Sequence, residues 1–231
     1  MSFESRWAEF SAGSSVLALE SYELPEIVHG GPEHWSLKFK LFKALTDYGT
    51  ALLALPVIAL VSMVLLVLNP FLNRGPLMFV QTRMGRYGQP FRMLKFRTMT
   101  SADYETRAAH SEVEHHRITR LGRLLRKMRI DELPNFYNVL RGEMSLIGPR
   151  PDAYSHAEAF VEQLEGYKQR HRVKPGITGL AQVEMGYAEG LGATTVKAKY
   201  DNLYASKACG RLDVYILGRT VYVVLTGFGS K

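Results

Sequence analysis

Charged side chains are missing from residues 48–73, and residues 51–68 are almost unbroken Ala, Leu, Val, Ile and Met. The pattern is apolar on all sides, so it predicts a helix surrounded by apolar material rather than a surface helix with one wet face. At about 1.5 Å per residue, roughly 20 such residues cover the ~30 Å hydrocarbon layer of a bilayer. Pro56 stands inside the run. It removes one helical hydrogen bond and crowds the preceding turn, which predicts a bend near residues 52–56. Lys38, Lys40 and Lys43 precede the run, and Arg74, Arg83 and Arg86 follow it. Basic flanks prefer the cytoplasmic side, and a helix that enters and leaves by the same face satisfies both clusters. The expectation is a re-entrant, Pro-bent membrane helix within residues 37–75. A plain single span and a buried core helix of a soluble protein remain as alternatives.

Beyond that run the pattern turns mixed. Residues 77–82 alternate weakly, 85–90 have turn composition and 91–99 read as a second strand, so a hairpin is predicted. Residues 101–116 are charged and alanine-rich, a helix or an ordered loop. In residues 117–130, Ile118, Leu121, Leu124, Leu125 and Met128 fall at helical spacing, with Arg117, Arg120, Arg123, Arg126, Lys127 and Arg129 filling most of the rest. A basic amphipathic helix of this kind suits a membrane interface, where each cation near an anionic leaflet adds about 1 kcal/mol. A cationic face solvated over a soluble core fits the same pattern. Residues 1–36 carry scattered Glu and Gly-Ser or Gly-Pro breakers, and lack the basic start and apolar run of a secretory signal. The expected organisation is a loosely attached extension over 1–36, the membrane helix over 37–75 and a catalytic domain over 76–231.

Composition narrows the partners. The chain has 231 residues, is 46% hydrophobic and carries a net charge of +7. That balance points to anionic ligands: nucleic acid, anionic lipid or phosphorylated substrates. No nucleic-acid-binding module is recognisable, and the arginines border an apolar run, so nucleic acid is not expected. A single cysteine, Cys209, excludes an internal disulfide framework and a cysteine-rich zinc site, and suits a reducing setting. The histidines lack zinc-site spacing, and the glycine pairs make no dinucleotide fingerprint.

The candidate chemistry follows the basic helix. Asp131–Glu132 stands directly after the arginine row, and Pro134 suits the first turn of a new helix running through Leu140. A carboxylate there can be a helix cap, a ligand to Mg²⁺ or a nucleophile toward phosphorus. In Gly148–Pro149–Arg150–Pro151 two prolines fix the backbone around one guanidinium, which suits a bidentate grip on phosphate. Arg172 and Lys174 flank a tight turn. Lys95 and Arg97 alternate along the second strand, on one face of it. A carboxylate pair, several cationic sites and a membrane anchor together suggest phosphoryl chemistry on a lipid substrate. A non-enzymatic membrane adaptor would need the basic helix but not the carboxylate pair.

From about residue 43 to the C-terminus the chain resembles the monotopic phosphoglycosyl transferases, a bacterial sugar transferase family. The resemblance rests on Lys95–Phe96–Arg97–Thr98–Met99, Asp131–Glu132–Leu133–Pro134, residues 138–145, Gly148–Pro149–Arg150–Pro151, residues 174–183 and Tyr200–Asp201. It implies a helix-rich α/β cytoplasmic domain seated by a re-entrant helix and interfacial amphipathic helices on the cytoplasmic face of the bacterial inner membrane. It implies Mg²⁺-dependent transfer of a sugar 1-phosphate from a UDP-sugar to undecaprenyl phosphate, through a covalent aspartyl intermediate. Asp131 would be the nucleophile and metal contact, with Glu132 assisting. Arg126 and Arg150 would bind substrate phosphate, as would Lys95, Arg97, Arg172 and Lys174. Two features depart from the family. Leu55–Pro56 stands where many relatives have Ser-Pro, and residues 1–36 take the place of extra N-terminal spans. The ending at residues 223–229 resembles the exopolysaccharide branch, whose donors are mostly UDP-glucose or UDP-galactose. The apolar stretch 214–225 could pack on its own core or on a second copy in a homodimer.

Overall fold

A computed structural model of the chain describes residues 31–100, 115–185 and 190–226. Most of the 1–36 extension, nearly all of 101–116 and the end of the 223–229 stretch lie outside the described residues. The apolar run forms one continuous helix, α1 (Leu37–Leu72), which passes through Pro56 and Pro70. Ser36 caps it by accepting a hydrogen bond from the Phe39 amide at 3.2 Å. Its most apolar 18 residues have a mean hydropathy of 2.9, and only 17% of them are buried. A core helix of this composition would be enclosed, so the buried-core alternative fails. This helix is long and apolar enough to cross a membrane.

What is buried on α1 lies at its two ends. Phe39, Lys43, Asp47 and Ala51 recur every fourth residue, one stripe of the helix, and Leu65 and Asn69 resume it near the far end. Between them Ile58 and Val61 are half-buried on the same stripe, against Phe96 and Leu125, while Leu52, Leu53, Leu60 and Met63 on the other side are exposed. The N-terminal stripe carries charge because it is fastened by charge. Lys43 Nζ donates to the Ile147 carbonyl at 2.9 Å and pairs with Asp213 at 3.1 Å. Asp47 accepts from Ser145 Oγ at 2.9 Å and from the Leu146 amide at 2.8 Å.

The hairpin is present as β1 (Met78–Met84) and β2 (Pro90–Phe96), antiparallel, with Met78 opposite Phe96 and Met84 opposite Pro90. The second strand stops at Phe96, short of the expected residue 99, and Met99 instead bridges to Ile118. The basic helix is α2 (Arg120–Lys127), shorter than the expected 117–130. Thr119 caps its start, and Arg129, at φ 57°, turns the chain out of it. Its apolar residues divide: Leu125 is buried, while Leu124 and Met128 are exposed among arginines. α3 (Asn135–Leu140) follows Pro134. Then come β3 (Ser145–Ile147), α4 (Tyr154–Gln163), β4 (Gly176–Thr178), α5 (Leu180–Met185), α6 (Gly190–Lys207) and α7 (Gly210–Thr226). β3 and β4 pair in parallel.

The architecture is helix-rich α/β. The main core packs Leu146 and Ile147 of β3 against Leu180, Val183, Tyr204 and Ile216 from α5, α6 and α7. A second cluster joins Ala51 of α1 to Phe91 and Met93 of β2 and Val139 of α3. A third joins Leu65 of α1 to Phe96 and Leu125. Buried side chains of this size stabilise by about 1.5–3 kcal/mol each, so α1 is part of the domain's packing and not merely tethered to it.

Candidate active site

Asp131 and Glu132 sit in a tight 3-10 turn (Ile130–Glu132) between α2 and α3. The left-handed Arg129 before it and Pro134 after it, preset near φ −61°, leave little freedom to the turn. Both carboxylates are buried. Three elements bring cations to them. β2 supplies Lys95, whose Nζ lies 3.1 Å from Glu132 Oε1. The segment after β3 supplies Arg150, which grips both Glu132 oxygens, Nη1 to Oε2 at 3.1 Å and Nη2 to Oε1. The last turn of α2 supplies Arg126, whose Nε donates to Thr98 Oγ1 at 2.9 Å. Arg129 Nη1 stands 4.0 Å from Glu132.

The Arg150 segment is aimed by backbone packing. The Gly148 amide donates to the Thr178 carbonyl and the Gly176 amide to the Pro149 carbonyl, each at 2.9 Å. A Cβ on Gly148 would lie 2.4 Å from the Lys174 carbonyl oxygen, and one on Gly176 would lie 2.1 Å from the Gly148 nitrogen. Only glycine permits this approach, and it joins two stretches that stand apart in the sequence.

The two carboxylates differ electrostatically. Burial alone would raise Glu132, but Arg150 and Lys95 outweigh it and hold its carboxyl well below the usual range. For Asp131, burial and the adjacent Glu132 raise the pKa, while Lys95, Arg126 and Arg150 pull it back. Asp131 Oδ1 is buried with no hydrogen-bond partner among the described residues. Burial pushes Lys95 down to about 8 despite Glu132.

Lys95, Arg126 and Arg150 thus converge on the carboxylate pair. Arg97, Arg172 and Lys174 are placed elsewhere. Lys95 and Arg97 do not share a strand face, because β2 ends at Phe96 between them. Arg97 donates to the carbonyls of Pro76 at 2.7 Å, Met99 at 3.1 Å and Asn73, clasping the exit of α1. Arg172 pairs with Glu33, and its carbonyl accepts from Arg86. Lys174 stands over Gly142 near Asp47. Two neighbours of the site carried no sequence signal of their own. Arg83, which reads as a membrane flank, donates to the Pro151 carbonyl at 2.9 Å. Asp152 accepts from Tyr167 Oη and Lys197 Nζ, both at 2.6 Å, and from Arg170. Only the fold brings strand β1 and helix α6 to the back of Arg150.

No group of three or more His, Cys, Asp or Glu that could hold a metal occurs among the described residues. The donor set still fits Mg²⁺ in one manner. Glu132 is fully engaged, whereas Asp131 offers one free carboxylate oxygen, and Mg²⁺ often takes one or two carboxylates together with substrate phosphate oxygens. Chemically the site is an anion receptor built around one carboxylate that is not tied up.

Comparison with known proteins agrees in kind. The bacterial sugar transferase family profile matches residues 38–227. A UDP-N-acetylgalactosamine-undecaprenyl-phosphate N-acetylgalactosaminephosphotransferase of Aeromonas hydrophila is 40% identical over 185 residues, covering 80% of this chain and 44% of that one. A UDP-glucose:undecaprenyl-phosphate glucose-1-phosphate transferase of Klebsiella pneumoniae is 38% identical over 193 residues, covering 83% of this chain and 41% of that one. A sugar transferase of Bacillus subtilis (strain 168), EpsL, is 41% identical over 160 residues, covering 68% of this chain and 74% of that one. The chain spans less than half the length of the first two relatives.

Proposed function

The chain belongs to the bacterial sugar transferase family, and on that premise we propose that it moves a sugar 1-phosphate from a UDP-sugar to undecaprenyl phosphate, giving undecaprenyl-diphosphate-sugar and UMP. The observation that carries the reading is the pairing of a satisfied carboxylate, Glu132, with an unsatisfied one, Asp131, inside a cluster of cations.

In this mechanism Lys95, Arg126 and Arg150 bind the diphosphate of the donor and take up charge as it develops. An Asp131 carboxylate oxygen attacks the β-phosphorus, the bond from that phosphorus to the bridging oxygen breaks, and UMP leaves with the electron pair. A phosphate oxygen of undecaprenyl phosphate then attacks the same phosphorus and frees Asp131. Glu132 is held ionised by Arg150 and Lys95, which favours ordering those cations over handling a proton. Mg²⁺ held by Asp131 and the donor phosphates would further neutralise charge on the transferring group.

The membrane reading rests on α1. One stripe of it packs on the same domain near both ends, with Ile58 and Val61 half-buried between, while Leu52, Leu53, Leu60 and Met63 leave the other side of its middle exposed and apolar. A helix passing straight through a bilayer would carry one end away from that domain, whereas a re-entrant helix keeps both, and Pro56 lies in the exposed middle. Leu124 on α2 and Met128 just past its end suit a lipid interface between their arginines. These features support a domain seated at a membrane face; on the proposed reading that face is the cytoplasmic one of the inner membrane, where both substrates would meet.

The test is UMP release by purified protein in nanodiscs with undecaprenyl phosphate, Mg²⁺ and a panel of UDP-sugars. Release that depends on Mg²⁺ and on Asp131 supports the proposal. Folded protein that releases no UMP with any donor refutes it.

A further inference from the structure

Arg150 is held from behind by two other guanidinium groups. Arg170 Nη2 donates to the carbonyl of Arg150 itself, and Arg83 Nη1 donates to the next carbonyl, Pro151, at 2.9 Å. The same short segment is stitched to β1 through its backbone. The Met84 amide donates to the Asp152 carbonyl at 3.2 Å, and Arg83 bridges to Ala153. Two arginines therefore hold two consecutive carbonyls of the segment that carries Arg150.

Arg83 and Arg150 repel one another, and three guanidiniums serving one short segment need an offset for their charge. Two of them have one. Arg150 is paired with Glu132, and Arg170 is paired with Asp152 and, at 2.8 Å, with Asp201. Arg83 forms no ion pair among the described residues. Its other contact is the amide oxygen of Gln81, and its Nε has no partner there. A neutral donor could fasten the Pro151 carbonyl as well. A charged one, kept beside Arg150 and without a carboxylate of its own, suits a segment whose task is to hold a guanidinium against an anion.

We infer that Arg83 and Arg170 are positioning residues that clamp the Arg150–Pro151 peptide and act on phosphate transfer through Arg150. The inference rests on the proposed function. It adds that the aim of Arg150 is set from β1 and from the turn before β4, not by the flanking prolines alone.

A double-substitution cycle tests it, using the full chain in nanodiscs and reading both UMP release and the affinity for UDP by calorimetry. Arg83→Met is expected to lower turnover of folded protein about 10- to 100-fold, the scale of a misplaced catalytic group. In an Arg150→Met background the same change is expected to matter by less than about twofold, because residues acting as a unit are not additive. UDP affinity reports the cycle even where Arg150→Met leaves no turnover. Arg83→Lys keeps the charge but is too compact a donor to span Gln81 and Pro151, and is expected to fall between wild type and Arg83→Met. Arg170→Lys serves as the second arm, since Arg170→Met strands buried carboxylates. Unchanged turnover and affinity per folded molecule, or equal losses in both Arg150 backgrounds, would overturn the clamp. Absence of UMP release from the unsubstituted chain would overturn it together with the proposed function, and is told apart by appearing before any substitution is made.

Discussion

Asp131 and Glu132 are neighbours in the chain and opposites in state: Glu132 is bound by Lys95 and by both arms of Arg150, while Asp131 keeps an oxygen with no partner among the described residues. Their amide variants should therefore separate. Asp131→Asn is expected to abolish UMP release while leaving the thermal midpoint unchanged or higher, because it removes a buried charge whose Oδ1 has no hydrogen-bond partner among the described residues and whose burial outweighs the pull of its cations. Glu132→Gln is expected to cost about 3 kcal/mol of stability, the low end for a broken buried pair because Arg150 keeps some exposure. Thermal unfolding of the two variants beside the wild type checks both.

The pH dependence of kcat/KM should be bell-shaped. In the proposed mechanism Asp131 attacks only when ionised, and its pKa is raised by burial and by Glu132, so the acid limb is expected above the ordinary carboxylate range. Lys95 titrates at about 8, so binding of the donor diphosphate weakens as pH rises past that value. Lys95→Arg should move the alkaline limb upward while leaving the acid limb in place.

Folding stability should follow a different pH course. Glu132 and Asp152 are both held well below their ordinary values, the first by Arg150 and Lys95 and the second by Lys197 and Arg170, each against the opposing effect of burial. A depressed carboxylate contributes stability that is present above its unfolded pKa and is lost as pH falls toward the folded one. Denaturant unfolding from pH 7 to pH 3 should show that loss below about pH 4.5. Asp152→Asn should flatten part of the curve.

Gly122 lets α2 lie directly on the Thr98 carbonyl: a Cβ there would stand 2.0 Å from that oxygen. Gly122→Ala is expected to lift the helix and to carry Arg126 away from Thr98 Oγ1. The expected outcome is a loss of about 1–3 kcal/mol from overpacking, together with a raised KM for the donor. Steady-state kinetics on the folded fraction would show the second effect.

How much the sequence disclosed depended on whether the controlling interaction was local. The uncharged run, the hairpin and the Pro134 helix start are local patterns, and α1, β1, β2 and α3 appear where the pattern predicts them. The ends are less well foreseen. The basic helix stops at Lys127 because Arg129 adopts a left-handed turn, and no spacing of apolar residues reveals that. Lys95 and Arg97 have the same charge and the right period for one face. They are separated because β2 ends between them and Arg97 is drawn to the carbonyls at the end of α1. Lys43, Asp47 and Arg83 read as membrane flanks or were silent, and their partners lie 68 to 170 residues away. Motif blocks marked the carboxylate pair at the centre of the candidate site, and long-range pairing supplied its supports.

Lys43 and Asp213 offer a test of that long-range pairing. Lys43→Met alone should destabilise by about 3–5 kcal/mol, since it leaves Asp213 buried without its cation. Adding Asp213→Leu should recover much of the loss. Unfolding of the single and double variants in the same detergent measures the difference.

Because α1 is fastened to the domain near both ends, its exposed apolar flank and the candidate site belong to one packed unit. Immersion depth and chemistry are then a single coordinate. However far residues 52–64 sink into a lipid layer, Asp131 descends with them, and in the proposed reaction the phosphorus would meet the headgroup plane at a height fixed by the folded protein.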